Sequence, residues 1–211
     1  AVTHARRLID NGVIGRVSGF FCRYDVDNEA DGNRPWSWRM SRAQSGTGSN
    51  GDVLSHVISV AHFLTNSSIS RVVGDYTIVH EERADSQAAG QTKIVDNDDM
   101  VAALIHFENG VKGHIGASRV TWGRKCGLHW ELHGTEGTII YDQERLNELK
   151  LFTRQDNPAT DGFRTILTGP LHEPYAAFLP NGGHSLGYMD VKICELHDLL
   201  SAIEANSPVW P

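Results

Sequence analysis

Residues 99–119 read DMVAALIHFENGVKGHIGASR, two apolar runs joined at Asn109-Gly110. Asn-Gly between strand candidates is the strongest short-range hairpin signal, because tight turns need the positive φ these residues tolerate. A second tight turn, Gly134-Thr135-Glu136-Gly137, joins a strand predicted over residues 127–133 to one over 138–142. Successive hairpins imply antiparallel pairing, since parallel neighbours need long crossovers. Leu128, Trp130 and Leu132 alternate with His129, Glu131 and His133, as on a sheet with one buried face. Trp130 is therefore expected in the core, with His129 and His133 solvated or at a subunit contact.

Working outward, strand-like patterns recur over residues 71–80 and 148–153 and, near the start, over 16–26, where Phe20, Cys22, Tyr24 and Val26 share one face. Helical patterns cover residues 3–11, 52–64 and 188–205. In the second of these Val53, Val57, Val60, Ala61 and Leu64 form an apolar stripe, and Asp52, Ser55, His56 and Ser59 a polar one. Residues 27–50 and 154–187 read as long irregular stretches, and such loops inside a compact domain are usually functional or mobile. No repeat or low-complexity tract interrupts the pattern. The expected architecture is a single α+β domain over residues 1–211, an open, largely antiparallel β-sheet with helices on one face.

Composition narrows the class. The 211 residues are 40% hydrophobic and 21% charged, ordinary for a globular protein. A formal net charge of −7 argues against nucleic-acid binding, which usually needs a basic face. Cys22, Cys126 and Cys194 are scattered, with no CxxC pair, so neither a disulfide framework nor a zinc knuckle is indicated and a cytoplasmic setting is expected. No signal-peptide core and no run near the roughly 18 apolar residues of a membrane helix is found.

Gly46-Thr47-Gly48-Ser49-Asn50-Gly51 matches GxGxxG letter for letter. A dinucleotide fingerprint requires a hydrophobic strand running into the first glycine, and here the polar run Arg39–Ser45 precedes it. The loop is expected to be a flexible lead into the next helix. Asp52 and His56, four apart at that helix's start, are neighbours on one face. A carboxylate beside an imidazole can fix its tautomer and raise its basicity, which suits proton transfer from a hydroxyl. The same spacing also fits a helix-start carboxylate favoured by the dipole beside a surface histidine. A metal reading lacks a third ligand at suitable spacing, and no metal is expected.

Gly51-Asp52-Val53-Leu54-Ser55-His56-Val57-Ile58-Ser59, followed by Ala61-His62-Phe63-Leu64, resembles the "GD-I-G-SH-x-ID-xA-xxL" helix of the Gfo/Idh/MocA family, which includes glucose–fructose oxidoreductase and inositol dehydrogenase. Residues 5–17, Trp38-Arg39, the Phe107–Gly110 hairpin and the His133–Gly137 turn resemble that family's C-terminal domain in the same order. Residues 143–149 and 183–190 resemble a subgroup acting on inositols and pyranosides. Leu54 stands where the family has glycine, and Ser59 where it has aspartate.

The resemblance implies an NAD(P)-dependent dehydrogenase acting on a CH–OH group of a cyclic polyol or sugar. His56 would take the hydroxyl proton, and Asp52 would orient His56 and bind a neighbouring hydroxyl. Trp38 and Arg39 would border the nicotinamide; a hydrophobic anchor with a surface salt bridge is the other reading of that pair. His184 and Tyr188 would face the substrate, since a glycine-flanked histidine in a long loop is poorly explained by packing. The family's catalytic lysine lies in an "EKP" segment of its Rossmann domain, absent here. NAD or NADP is therefore expected on a missing N-terminal domain, this chain alone is expected to be inactive, and truncation is expected at both ends. Homo-oligomerisation through the sheet is expected as well. A non-catalytic assembly module or degenerate relative is the alternative.

Overall fold

A computed structural model describes residues 1–154 and 157–208. In chain order the elements are α1 (Val2–Asp10), β1 (Val17–Asp25), α2 (Arg42–Ser45), α3 (Ser49–Asp52), α4 (Leu54–Thr65), β2 (Ile69–Thr77), β3 (Glu82–Ala84) and β4 (Thr92–Ile94). They continue with β5 (Met100–Phe107), β6 (Lys112–Ser118), β7 (Gly127–Gly134), β8 (Gly137–Asp142), β9 (Glu148–Thr153), β10 (Arg164–Leu167) and α5 (Tyr188–Glu204). The chain divides into two compact units, Ala1–Arg16 with Gly134–Pro211, and Val17–His133.

In the Val17–His133 unit the strand order is β7-β1-β6-β5-β2. The hairpin read from residues 99–119 forms as expected. β5 and β6 pair antiparallel with Leu104 opposite His114, and the turn closes through Phe107 N–H to the Val111 carbonyl at 2.9 Å, with Gly110 at φ +87°. β2 pairs antiparallel with β5, Val73 opposite Leu104. One pairing departs from the hairpin rule: β1 runs parallel to β6, Phe21 opposite His114. The long connection between them, through α2–α4 and then β2–β5, removes the constraint that a short turn imposes.

One face of this sheet is closed. α4 packs on β1 and β6, burying Leu54, Val57, Ala61 and Leu64 against a side that carries Phe20, Cys22, Ile105, Ile115, Trp130 and Leu132. Trp130 is fully buried, as its alternation predicts. The other face carries Phe21, Leu104, His114, His133 and Val73. The Phe21 ring lies 4.4 Å from that of His114 and 4.7 Å from that of His133, and Leu104 and Val73 are exposed. The architecture is thus open, largely antiparallel α+β with helices on one face.

In the other unit the strand order is β10-β9-β8, all antiparallel, with Ile140 opposite Lys150 and Leu149 opposite Ile166. Ile14, Ile139, Tyr141, Leu149 and Leu151 are buried. β10 lies within residues 154–187, the stretch read as irregular, of which 155 and 156 fall outside the described residues. The hairpin β3–β4 likewise lacked a sequence signal. Both are short, and three- or four-residue strands hold too little alternation to register.

Candidate active site

The segment leading to Asp52 is held by side chains from elsewhere in the Val17–His133 unit. Buried Arg83 donates to the carbonyls of Glu29 at 2.5 Å and Asp31 at 2.6 Å, pinning the start of the long polar stretch. Arg119 donates to Asp99 at 2.7 Å, to Asn97 Oδ1 at 2.8 Å and to the Arg39 carbonyl at 3.1 Å. Asn97 also donates to that carbonyl, at 2.7 Å. Both members of the Arg119–Asp99 pair are buried, so removing either would leave the other an uncompensated buried charge.

The glycine loop is therefore not the flexible lead expected from composition. The Asp98 carboxylate accepts from the Gly48 and Asn50 amides at 3.0 and 2.5 Å, and the Asp98 carbonyl accepts from Ser49 at 2.8 Å. A Cβ at Gly48 would stand 1.9 Å from the Asp98 carbonyl oxygen, so only glycine fits. The amides that a phosphate would use in a dinucleotide loop are already engaged by an internal carboxylate.

Asp52 closes α3 and is exposed. The expected single helix over 52–64 is instead broken at Val53, the C-cap of α3, after which α4 begins. Leu54, the residue standing in place of the family's glycine, is buried and anchors that new start. His56 is exposed on the first turn of α4. Asp52 and His56 thus flank the break on its open side. Among the described residues no hydrogen bond or ion pair joins their side chains. The ring contact that His56 makes is with Tyr24 of β1, edge-on, with centroids 5.7 Å apart and planes 67° apart.

Trp38 and Arg39 lie on a single 3₁₀ turn, Trp38–Met40. Trp38 is half exposed, with the Arg39 guanidinium 4.7 Å above its ring. The hydrophobic anchor of this turn is Met40, fully buried, not Trp38. His184 and Tyr188 belong to the other unit. His184 is exposed, with Nδ1 3.3 Å from the Asn181 carbonyl. Tyr188, also exposed, opens α5, whose N-terminus is closed by the Gly187 amide donating to Asp190 at 2.8 Å. Burial pushes the Cys22 thiol above its ordinary value, with Asp25 adding to the effect, which disfavours the nucleophilic thiolate.

Sequence reading missed Tyr24, Asn97, Asp98, Asp99 and Arg119. The last four had a signal in retrospect: polar residues crowd the ends of the buried strands β5 and β6 and need partners. Among the described residues no cluster of potential ligands could hold a metal ion, and no helix is long and apolar enough to cross a membrane.

The fold built from these elements is that of a known domain. The profile of the GFO/IDH/MocA C-terminal domain covers residues 2–140, and the chain belongs to that family of oxidoreductases. Levoglucosan dehydrogenase of Pseudarthrobacter phenanthrenivorans (strain DSM 18606 / JCM 16027 / LMG 23796 / Sphe3) is 37% identical over 224 residues, covering 100% of this chain and 57% of that protein. A levoglucosan dehydrogenase structure in complex with NADH and levoglucosan superposes with a TM-score of 0.91 at 36% identity, over 98% of this chain and 54% of the other. An NAD binding oxidoreductase from Klebsiella pneumoniae gives a TM-score of 0.92 at 38% identity, over 99% and 55%. The chain therefore spans little more than half the length of these relatives.

Proposed function

We propose that this chain is the substrate-binding half of a longer NAD(P)-dependent dehydrogenase that oxidises a CH–OH group of a cyclic polyol: an inositol, a pyranose or a glycoside. The observation that carries this reading is the open side of α3–α4, where Asp52 and His56 stay exposed while the apolar side is buried. It is supported by relatives whose structures hold NADH with levoglucosan or with L-sorbose. In this reading His56 takes the substrate hydroxyl proton, while Asp52 binds a neighbouring hydroxyl and supports the imidazolium by its charge. His184 and Tyr188 contribute to substrate binding.

The cofactor, NAD or NADP, is held mainly by a dinucleotide-binding domain outside this chain, because the glycine loop here is filled by Asp98. The exposed indole of Trp38 with its guanidinium neighbour fits a bordering role at a flat heteroaromatic ring. When bound, the nicotinamide supplies the hydride acceptor. The setting is the reducing cytoplasm, in keeping with three free thiols.

We also propose that the open sheet face is used for self-association. Exposed Val73 and Leu104 beside the Phe21–His114–His133 cluster form an apolar and aromatic surface of the kind that marks protein contacts. The same face favours the rival reading of a non-catalytic assembly module. In either reading, sedimentation at high concentration is expected to show oligomers, and a strict monomer would count against the proposal.

His56→Asn decides between the two readings. In the full-length protein, assayed with NAD or NADP and a panel of cyclic polyols, turnover is expected to fall by about 10²- to 10⁴-fold, the range for losing a positioned acid–base group. The fold is expected to persist because His56 is exposed. Near-normal turnover would leave the assembly module standing. The isolated chain is expected to be inactive in the same assay.

A further inference from the structure

Asp52 is the orienting partner the motif suggests for His56, but among the described residues no hydrogen bond or ion pair joins the two side chains, and Val53 interrupts the helix between them. An imidazole on the exposed first turn of a helix is poorly constrained, because rotation about an sp³–sp² bond is broad. What meets the His56 ring instead is Tyr24, at 5.7 Å between centroids in an edge-on arrangement, within the range of favourable aromatic pairs. Tyr24 is itself well held. Its backbone lies in the parallel register of β1 on β6, opposite Ala117, a fully buried residue. Its hydroxyl and the Cys126 Sγ share a hydrogen bond of 3.2 Å. The tyrosine ring is thus tied at its root by the sheet and at its tip by a half-buried sulfur.

We infer that Tyr24 is a positioning residue for His56: its ring, tethered by Cys126, confines the imidazole to one orientation toward the open side of α3–α4. This rests on the reading of His56 as proton acceptor and adds a residue that the Asp–His motif does not contain. The physical advantage is that an aromatic wall restrains the ring plane without occupying either nitrogen, leaving both for proton transfer and hydrogen bonding. A carboxylate partner would consume one of them.

The test has a spectroscopic arm and a kinetic arm. In NMR of the chain with labelled histidine and tyrosine, nuclear Overhauser contacts between the two rings are expected. Tyr24→Leu should abolish them and move the His56 ring signals toward those of a free histidine, whereas Tyr24→Phe should keep most of the native pattern. Cys126→Ala leaves β1 untouched and should move the Tyr24 and His56 ring signals together, so the inference stays testable even if Tyr24→Leu does not fold. In the full-length protein Tyr24→Leu should lower kcat about 10- to 100-fold, the scale for misplacing a reacting group, with KM little changed and substantial rescue by phenylalanine. Normal turnover in Tyr24→Leu beside an inactive His56→Asn overturns this inference alone. Normal turnover in His56→Asn overturns the catalytic reading and this inference with it. His56 ring signals unmoved in both Tyr24→Leu and Cys126→Ala overturn the positioning role whatever the kinetics.

Discussion

Helices α4 and α5 carry apolar residues at identical intervals, and only one of the two stripes is covered. On α4 the residues Leu54, Val57, Ala61 and Leu64 are all buried, with β1 and β6 packed against them. On α5 the residues Ile193, Leu196, Leu200 and Ile203 follow the same spacing and are 51–63% exposed, and no residue of that helix is buried. An apolar stripe shows that a helix has a face to hide. It carries no information about what hides it. α4 lies across a sheet whose own buried side is complementary, whereas α5 presents its stripe to solvent among the described residues. Energetically the first helix is part of a core, and the second is a surface with unused apolar area.

The largest effect expected from this contrast is at Leu64, which is fully buried. Leu64→Ala should cost about 2–5 kcal/mol, the range for truncating a core leucine, read as a lower midpoint in urea unfolding followed by circular dichroism. A loss under about 1 kcal/mol would show that α4 is no better packed than α5, and the contrast would collapse.

A second, smaller effect separates the units that hold the two helices. His4 on α1 stacks edge-on with His172, centroids 4.4 Å apart. Gly169 donates its amide to His172 Nδ1 at 3.0 Å. Desolvation, then the neighbouring His172, holds the His4 imidazole below its ordinary value. The unfolded chain therefore binds this proton more readily than the folded one. The stabilisation is present above about pH 6.5 and is lost as pH falls from there through the depressed folded value. Hydrogen exchange between pH 7 and 5 should show α1 amides losing protection before those of α4. Equal loss in both would remove the distinction.

The smallest effect is expected on α5. Leu200→Ala should change stability by no more than about 0.5 kcal/mol, as for a surface position, in the same urea assay. A loss matching that of Leu64→Ala would mean that the stripe of α5 is covered in solution after all, by another molecule or another part of the protein.

What could be read from the residues was what neighbours in sequence decide. Asn109-Gly110 sets the β5–β6 register because a short turn leaves few alternatives. The alternation around Trp130 assigns its sheet face because the pleat has a period of two. The GD…SH run identified the family, which placed Asp52 and His56 as the candidates. Even the false fingerprint at residues 46–51 could be discounted locally, from the polar run before it.

Tertiary structure decided everything that depends on groups far apart in the chain. The parallel pairing of β1 with β6 joins Phe21 to His114 across a crossover that no local pattern specifies. The Asp98 carboxylate rigidifies a glycine loop 50 residues away, turning composition that reads as flexible into a fixed lead to Asp52. The ring that meets His56 is that of Tyr24, on a strand far from the motif in sequence. The reason is common to all three. Turns and pleats are governed by backbone sterics over a few residues, whereas the partner of a buried carboxylate or an exposed ring is settled by which distant surfaces the packed sheet brings within a few ångströms.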